Sequence, residues 1–233
     1  TSAQRQEVWT LATSRGEGTL CDYLLQKGSL MINEIAINGA SDKFRYYLSL
    51  NKSNSDGVLY GSNWNKTGGR LNVEYNALDW FKLGSNIGIT SSQENNVRSL
   101  FNTQNSYAAL FLFNPYEPVY LPNGQYNVTH EGYSPLEGTD HNPSFLDRLA
   151  TFSSFFGEAN FFKYLTIKSL VGINYNTLNQ ENYLQPGSNL ANILGYNQKT
   201  DGGNRDYTTV WTNTADWKQT LSDKHNINVL AGH

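Results

Sequence analysis

The sequence predicts an all-β chain, an antiparallel transmembrane β-barrel segment with one apolar and one polar face. Three observations carry this. Apolar and polar residues alternate with a period of 2 through one stretch after another. The stretches run to ten residues or more, against about five or six for globular strands and about nine to eleven for a tilted strand that crosses a bilayer. Short and long connections alternate strictly, so one edge of the sheet is trimmed and the other carries every long loop, the asymmetry of outer-membrane barrels.

About eight strands follow in order. The first, 29–39, puts Ile35 and Ile37 on one face. In the second, 42–54, Phe44, Tyr46, Leu48 and Leu50 oppose Arg45, Tyr47, Ser49 and Asn51. The third and fourth, 63–77 and 79–92, form a hairpin in which Leu71, Val73, Tyr75, Phe81, Leu83, Ile87 and Ile89 are the apolar set. The fifth and sixth lie near 147–160 and 163–178; in the sixth, Leu165, Ile167, Val171, Ile173 and Tyr175 alternate with Thr166, Lys168, Gly172 and Asn174. The seventh and eighth lie near 205–220 and 224–232.

Tight turns are expected at 39–43, 76–80, 160–164 and 221–225, with long connections at 55–62, 93–146 and 179–204. Trp80, Phe81, Phe161, Phe162, Tyr164 and Trp217 adjoin the tight turns, as rings do that anchor at a membrane interface. Lys66, Arg70, Glu74, Lys82, Glu158 and Lys168, with several Gly and Asn, mark a polar face. That face suits a hydrated lumen or, equally, the solvent side of a soluble sandwich. In the longest connection, 97–115 has the pattern of a short helix and Asn123-Gly124 that of a tight turn.

Composition narrows the function. A net charge of −3 and an isoelectric point near 5.8 argue against a nucleic-acid binder. Cys21 is the single cysteine, so an internal disulfide or cysteine-based metal site is excluded. No run of 18 apolar residues marks a spanning helix. A mean hydropathy of −0.54 is compatible with a barrel, where only alternate strand residues meet lipid. G-x-S-x-G, P-loop and H-E-x-x-H motifs are absent, so no enzyme and no cofactor is expected. His130-Glu131 and Asp140-His141 suggest a metal site only weakly, because adjacent residues on extended chain point apart. Asp201-Gly202-Gly203-Asn204 reads as a turn, lacking the carboxylate spacing of a calcium loop.

Residues 43–90, "KFRYYLSLNKSNSDGVLYGSNWNKTGGRLNVEYNALDWFKLGSNIGIT", resemble the barrel of SusC/RagA-family TonB-linked (TonB-dependent) outer-membrane transporters of Bacteroidota. The resemblance is carried by Tyr46 to Leu50, Asp56 to Val58, Gly61-Ser62, Arg70 to Asn72, Asp79-Trp80 and Lys82 to Gly84. "FNPYEPVYLPNGQY" (113–126), the hairpin at 142–175 and "HNINVLAGH" (225–233) are similar to further runs in the family's order. It covers most of 32–233. It implies an internal segment of a plugged barrel of about 22 strands, with residues 1–28 a lead-in and 29–233 barrel wall. It also implies short periplasmic turns, long extracellular loops and a multi-pass place in the outer membrane. The implied activity is import of oligosaccharides or peptides with a SusD-like lipoprotein, energised by TonB–ExbB–ExbD through a plug that this chain does not carry.

Candidate ligand contacts in the 93–146 loop are Tyr107, Phe113, Tyr116, Tyr120, Tyr126 and Tyr133, since aromatic faces stack on sugars or receive peptide side chains. Two alternatives stay open. One is a complete eight-stranded barrel acting as an anchor or adhesin, whose first and last strands would pair. The other is a soluble carbohydrate-binding β-sandwich.

Overall fold

A computed structural model describes residues 20–96, 106–112, 118–128, 134–222 and 225–233. Eight strands form one antiparallel sheet in sequence order. They are β1 (Ser29–Ala40), β2 (Phe44–Asp56), β3 (Asn63–Leu78), β4 (Phe81–Asn96), β5 (Ser144–Phe161), β6 (Leu165–Leu184), β7 (Gln198–Leu221) and β8 (His225–Gly232). Every strand pairs with its sequence neighbour, and β1 and β8 do not pair with each other. The sheet is therefore open, and the closed eight-stranded alternative is not formed. No second sheet lies over it among the described residues, so the described strands do not make the sandwich alternative.

Register joins the expected apolar positions into one continuous face, because directly opposed residues in an antiparallel pair share a side. Ile37 lies opposite Leu48, Leu48 opposite Leu71, and Leu71 opposite Ile87. Phe155, Val171 and Trp211 continue that side across β5, β6 and β7. Nothing in the described chain covers it: Ile35 is 70% exposed, Leu50 59% and Trp211 66%. A soluble domain buries such a surface, since each large apolar side chain gains roughly 1.5–3 kcal/mol on leaving water.

Connections alternate as expected. Residues 41–43, 79–80, 162–164 and 222–224 make the short edge, and 57–62, 97–143 and 185–197 make the long-loop edge. At the first turn Ser41 closes on Phe44: the Phe44 amide donates to Ser41 Oγ at 3.1 Å. Phe162 takes a left-handed conformation, φ 56°, in the third. Rings gather along this edge. Trp80 lies 5.7 Å from Phe81 and 5.8 Å from Phe161, and Phe162 stacks on Tyr164 at 5.6 Å.

Two expectations need correction. The 179–204 connection is much shorter than the sequence suggests, because β6 runs on to Leu184 and β7 starts at Gln198. Asp201 to Asn204 is therefore strand, and Asp201 pairs with Glu181. Both faces are polar there, so the apolar alternation that marks a strand is missing. The turn instead lies at Gly187 and at Gly195, which both have positive φ.

Among the described residues, four short helices sit at the long-loop edge: α1 (Leu20–Leu24), α2 (Ser106–Leu112), α3 (Pro135–His141) and α4 (Asn189–Leu194). The helix read at 97–115 is described only as α2; its remaining positions lie outside the described residues. Ser134 and Pro135 start α3, where Ser134 Oγ accepts from the Glu137 amide. Ser188 caps α4 and Gly195 ends it in the left-handed conformation. No described helix is long and apolar enough to cross a membrane.

Among the described residues, the buried apolar clusters also sit at this edge and not beneath the sheet. Leu24, Ala109, Val119 and Leu136 form one cluster, and Leu184, Leu190 and Ala191 another.

Candidate functional site

Two regions concentrate chemistry: the capped long-loop edge and the polar face of the sheet. In the cap, Asn123-Gly124 makes the expected turn, with Gly124 at φ +80°. The Leu121 amide donates to the Gln125 carbonyl at 2.7 Å, and Tyr120 bridges to Tyr126 across this small hairpin. The turn therefore holds two of the expected contact residues side by side, with ring centroids 5.3 Å apart. Tyr23 meets Tyr120 edge-on at 5.6 Å, and Tyr126 meets His141 edge-on at 6.0 Å.

Asp140 ties this cluster together. One carboxylate oxygen accepts from the Tyr60 hydroxyl at 2.9 Å, and the other accepts from the Tyr126 hydroxyl. The 57–62 loop, the 118–128 hairpin and α3 thus converge on one carboxylate. Tyr126's hydroxyl is pushed well above its ordinary range, first by burial and then by Asp140. Tyr60 is raised chiefly by its hydrogen bond to Asp140, and Tyr120 chiefly by burial. The Tyr60 and Tyr126 hydroxyls are the donors to Asp140. Gly61 fits closely here, at φ +78°, and an added Cβ would lie 2.2 Å from the Thr139 methyl.

Glu137 makes the second junction. It is buried, and its carboxylate accepts from the Asn189 amide at 2.8 Å and lies 3.3 Å from His141 Nδ1. It thereby couples α3 to α4.

Of the expected contact residues, Tyr107, Tyr120 and Tyr126 are described. Tyr107 lies on α2, 60% exposed, edge-on to Phe111 at 5.6 Å. Phe113, Tyr116 and Tyr133 lie outside the described residues, as do His130 and Glu131. Asp140 and His141 do not act as a pair toward a metal: Asp140 faces two tyrosines, and His141 turns to Glu137. Sequence reading missed Tyr23, Tyr60 and the linking role of Asp140. Only the loop character of the 55–62 connection hinted at Tyr60.

The polar face carries every charged residue assigned to it. Lys82, Glu158 and Lys168 lie in one cross-strand row, with Glu158 3.3 Å from Lys82 and 3.9 Å from Lys168. The Lys168 ammonium also lies 4.4 Å from the Phe156 ring centre, a cation–π contact. Phe156 lies across Gly84, where an added Cβ would stand 2.2 Å from the ring. Farther along the face, Arg70, Asn72, Asn86, Phe152, Asn174 and Asn176 line an open hollow of about 580 Å³.

Comparison with known proteins agrees with this architecture. No family model matches the chain. It is 25% identical over 222 residues to TonB-dependent receptor P26 of Formosa agariphila, covering 91% of this chain and 21% of that protein. It is 27% identical over 116 residues to TonB-dependent receptor P3 of the same organism, covering 48% of this chain and 12% of that one. Among solved structures, the RagAB peptide importer in the closed-closed state matches with a TM-score of 0.74 at 19% identity, over 93% of this chain and 25% of that one. The open-open state of the same importer gives 0.73 at 18% identity. The chain thus spans about a fifth of the length of the first relative. The resemblance to TonB-dependent outer-membrane transporters holds, and the fold is that of a segment of such a barrel.

Proposed function

We propose that this chain is part of the wall of a TonB-dependent outer-membrane importer of oligosaccharides or peptides. Residues 29–233 supply wall and loops, and residues 1–28 lead into them. The supporting observation is the single-layer sheet with a continuous uncovered apolar face. Lipid hydrocarbon is the partner that such a face fits, and an open edge row of strand groups is stable only when a further strand pairs with it. On β6 the apolar side runs from Leu165 to Tyr175, eleven residues, the length that crosses a bilayer at a tilt. The rest of β6 and the start of β7 then stand clear of the lipid on the long-loop side.

In this reading the short turns face the periplasm, and the cap lies outside the cell. Tyr120 and Tyr126, held by Asp140, and Tyr107, Phe113, Tyr116 and Tyr133 in the same connection, meet the incoming ligand or a SusD-like lipoprotein that covers it. Energy comes from TonB–ExbB–ExbD acting on a plug. The chain has no catalytic role; the named relatives are receptors and an importer.

Cysteine labelling tests the membrane reading. In a Cys21→Ser background, single cysteines replace Ile87, Asn86, Gln125 and Lys163 in the full-length protein. A water-soluble maleimide is expected to label position 125 on intact cells, position 163 only after permeabilisation, position 86 in preference to 87, and position 87 hardly at all. Equal labelling of 86 and 87 removes the lipid-facing assignment.

A further inference from the structure

The hollow on the polar face is built around one cation. Arg70 stands opposite Gly88, Gly88 opposite Phe152, and Phe152 opposite Asn174, so these four form one row across β3 to β6. The neighbouring rows add Asn72 opposite Asn86, and Asn176 opposite Ala150. Arg70 is the one charged residue lining the hollow. Among the described residues no carboxylate forms an ion pair with it, whereas Lys82, Lys168, Lys199 and Lys218 each have one. Glu34 on β1 shares the face through Asn51 and Gly68, two strands across and two residues along, about 12 Å away, and Glu74, on the same strand and face, is four residues along, about 13 Å away. Asp206 shares the face through Asn176, four strands from Arg70 and so about 19 Å across the sheet.

Around the guanidinium the wall is uncharged and rich in amides. Gly88 keeps the position beside it open: an added Cβ would meet nothing nearer than the Phe152 carbonyl, at 4.0 Å. A guanidinium presents a planar fork of donors that fits a carboxylate with two parallel hydrogen bonds. Asparagine amides donate and accept, and so suit neighbouring hydroxyl or peptide groups.

We propose that this hollow is a subsite for a carboxylate-bearing ligand, with Arg70 holding the carboxylate and Asn72, Asn86 and Asn174 holding the polar groups next to it. The inference rests on the importer reading, since it places the ligand on the lumenal wall. From Arg70 to Asn174 is three strand spacings, about 14 Å, enough for about four extended peptide residues. The carboxylate is that of an acidic sugar or of a free peptide C-terminus.

Titration calorimetry on the full-length protein, purified in detergent, tests this with four probes: trigalacturonate, its methyl ester, tetra-alanine, and tetra-alanine amide. One acid is expected to bind tighter than its neutral counterpart, and which pair differs identifies the source of the carboxylate. Arg70→Gln is expected to weaken the acid about tenfold to a hundredfold, leave the neutral probe unchanged, and abolish most of the salt dependence. Arg70→Lys is expected to retain part of the preference. Gly88→Phe, which fills the hollow without touching the charge, is expected to block both members of that pair. Heat-modified migration on a gel confirms that each variant is folded. Equal binding of acid and neutral probes, absence of binding by all four, or an acid preference that survives Arg70→Gln overturns the subsite. Failure of the importer reading is separate: the protein would then be recovered from the soluble fraction without detergent.

Discussion

Tyr60 donates its hydroxyl hydrogen bond to Asp140 at 2.9 Å across 80 residues of chain. The contact joins the loop after β2 to the helix before β5, and Asp140's other oxygen draws in Tyr126. A hydrogen bond to a charged group contributes about 1.5–3 kcal/mol, and less where water competes. Asp140→Ala is therefore expected to loosen the cap and leave the sheet intact. Hydrogen exchange should quicken by about tenfold in 57–62 and 118–128, with β3 to β6 unchanged. Unaltered exchange in both loops would show that Asp140 does not tie them.

The same cluster sets a pH limit. Tyr126, Tyr60 and Tyr120 all have raised values in the folded protein. Below the ordinary tyrosine value, near 10, folded and unfolded forms are both protonated, and the cap has its full stability. Above it the unfolded form loses the proton first, so it binds fewer protons than the folded form, and stability falls as pH rises. The cap should resist proteolysis evenly from pH 6 to 9 and open only above about pH 10. Tyrosinate absorbance should lag behind that of free tyrosine in the intact protein and rise with cleavage. Opening already at pH 8 would contradict these hydroxyls as the controlling groups.

On the polar face, Gly84 leaves room for the Phe156 ring that Lys168 approaches. Gly84→Val is expected to cost about 1–3 kcal/mol through overpacking. Phe156→Ala, added to it, should restore much of that loss, because the clash disappears with the ring. A midpoint of urea unfolding that is the same in the single and double variants would refute the pairing of these two residues.

Adjacent residues on opposite faces provide a further test. Ile87→Lys places a charge on the apolar face and should lower folding stability in vesicles by about 2–4 kcal/mol near the bilayer middle, less toward its edges. Asn86→Lys, one residue earlier, should change stability by less than about 1 kcal/mol, because a lumenal side chain stays hydrated. Equal penalties would mean that lipid does not distinguish the two faces.

The faces, the strand count and the alternation of short and long connections were all legible in the sequence. Each rests on the period-2 geometry of extended chain, which is local. Leu71, Ile87 and Ile173 could be assigned to one side before any pairing was known. Where both sides are polar, as from Asn179 to Asn182 and from Asp201 to Asn204, the same reasoning had no contrast to use, and β6 and β7 were read too short. The rest depended on tertiary structure. Whether the eight strands close on themselves depends on pairing between β1 and β8, which neither strand's own pattern encodes. That Tyr60, Tyr126 and Asp140 meet and that Glu137 reaches Asn189 follow from how loops and helices far apart in the chain pack together at one edge, and that Arg70 faces an amide-lined hollow follows from the register of β3 to β6. Side-chain periodicity tells each residue which way to point; only the assembled sheet brings together the residues that point the same way.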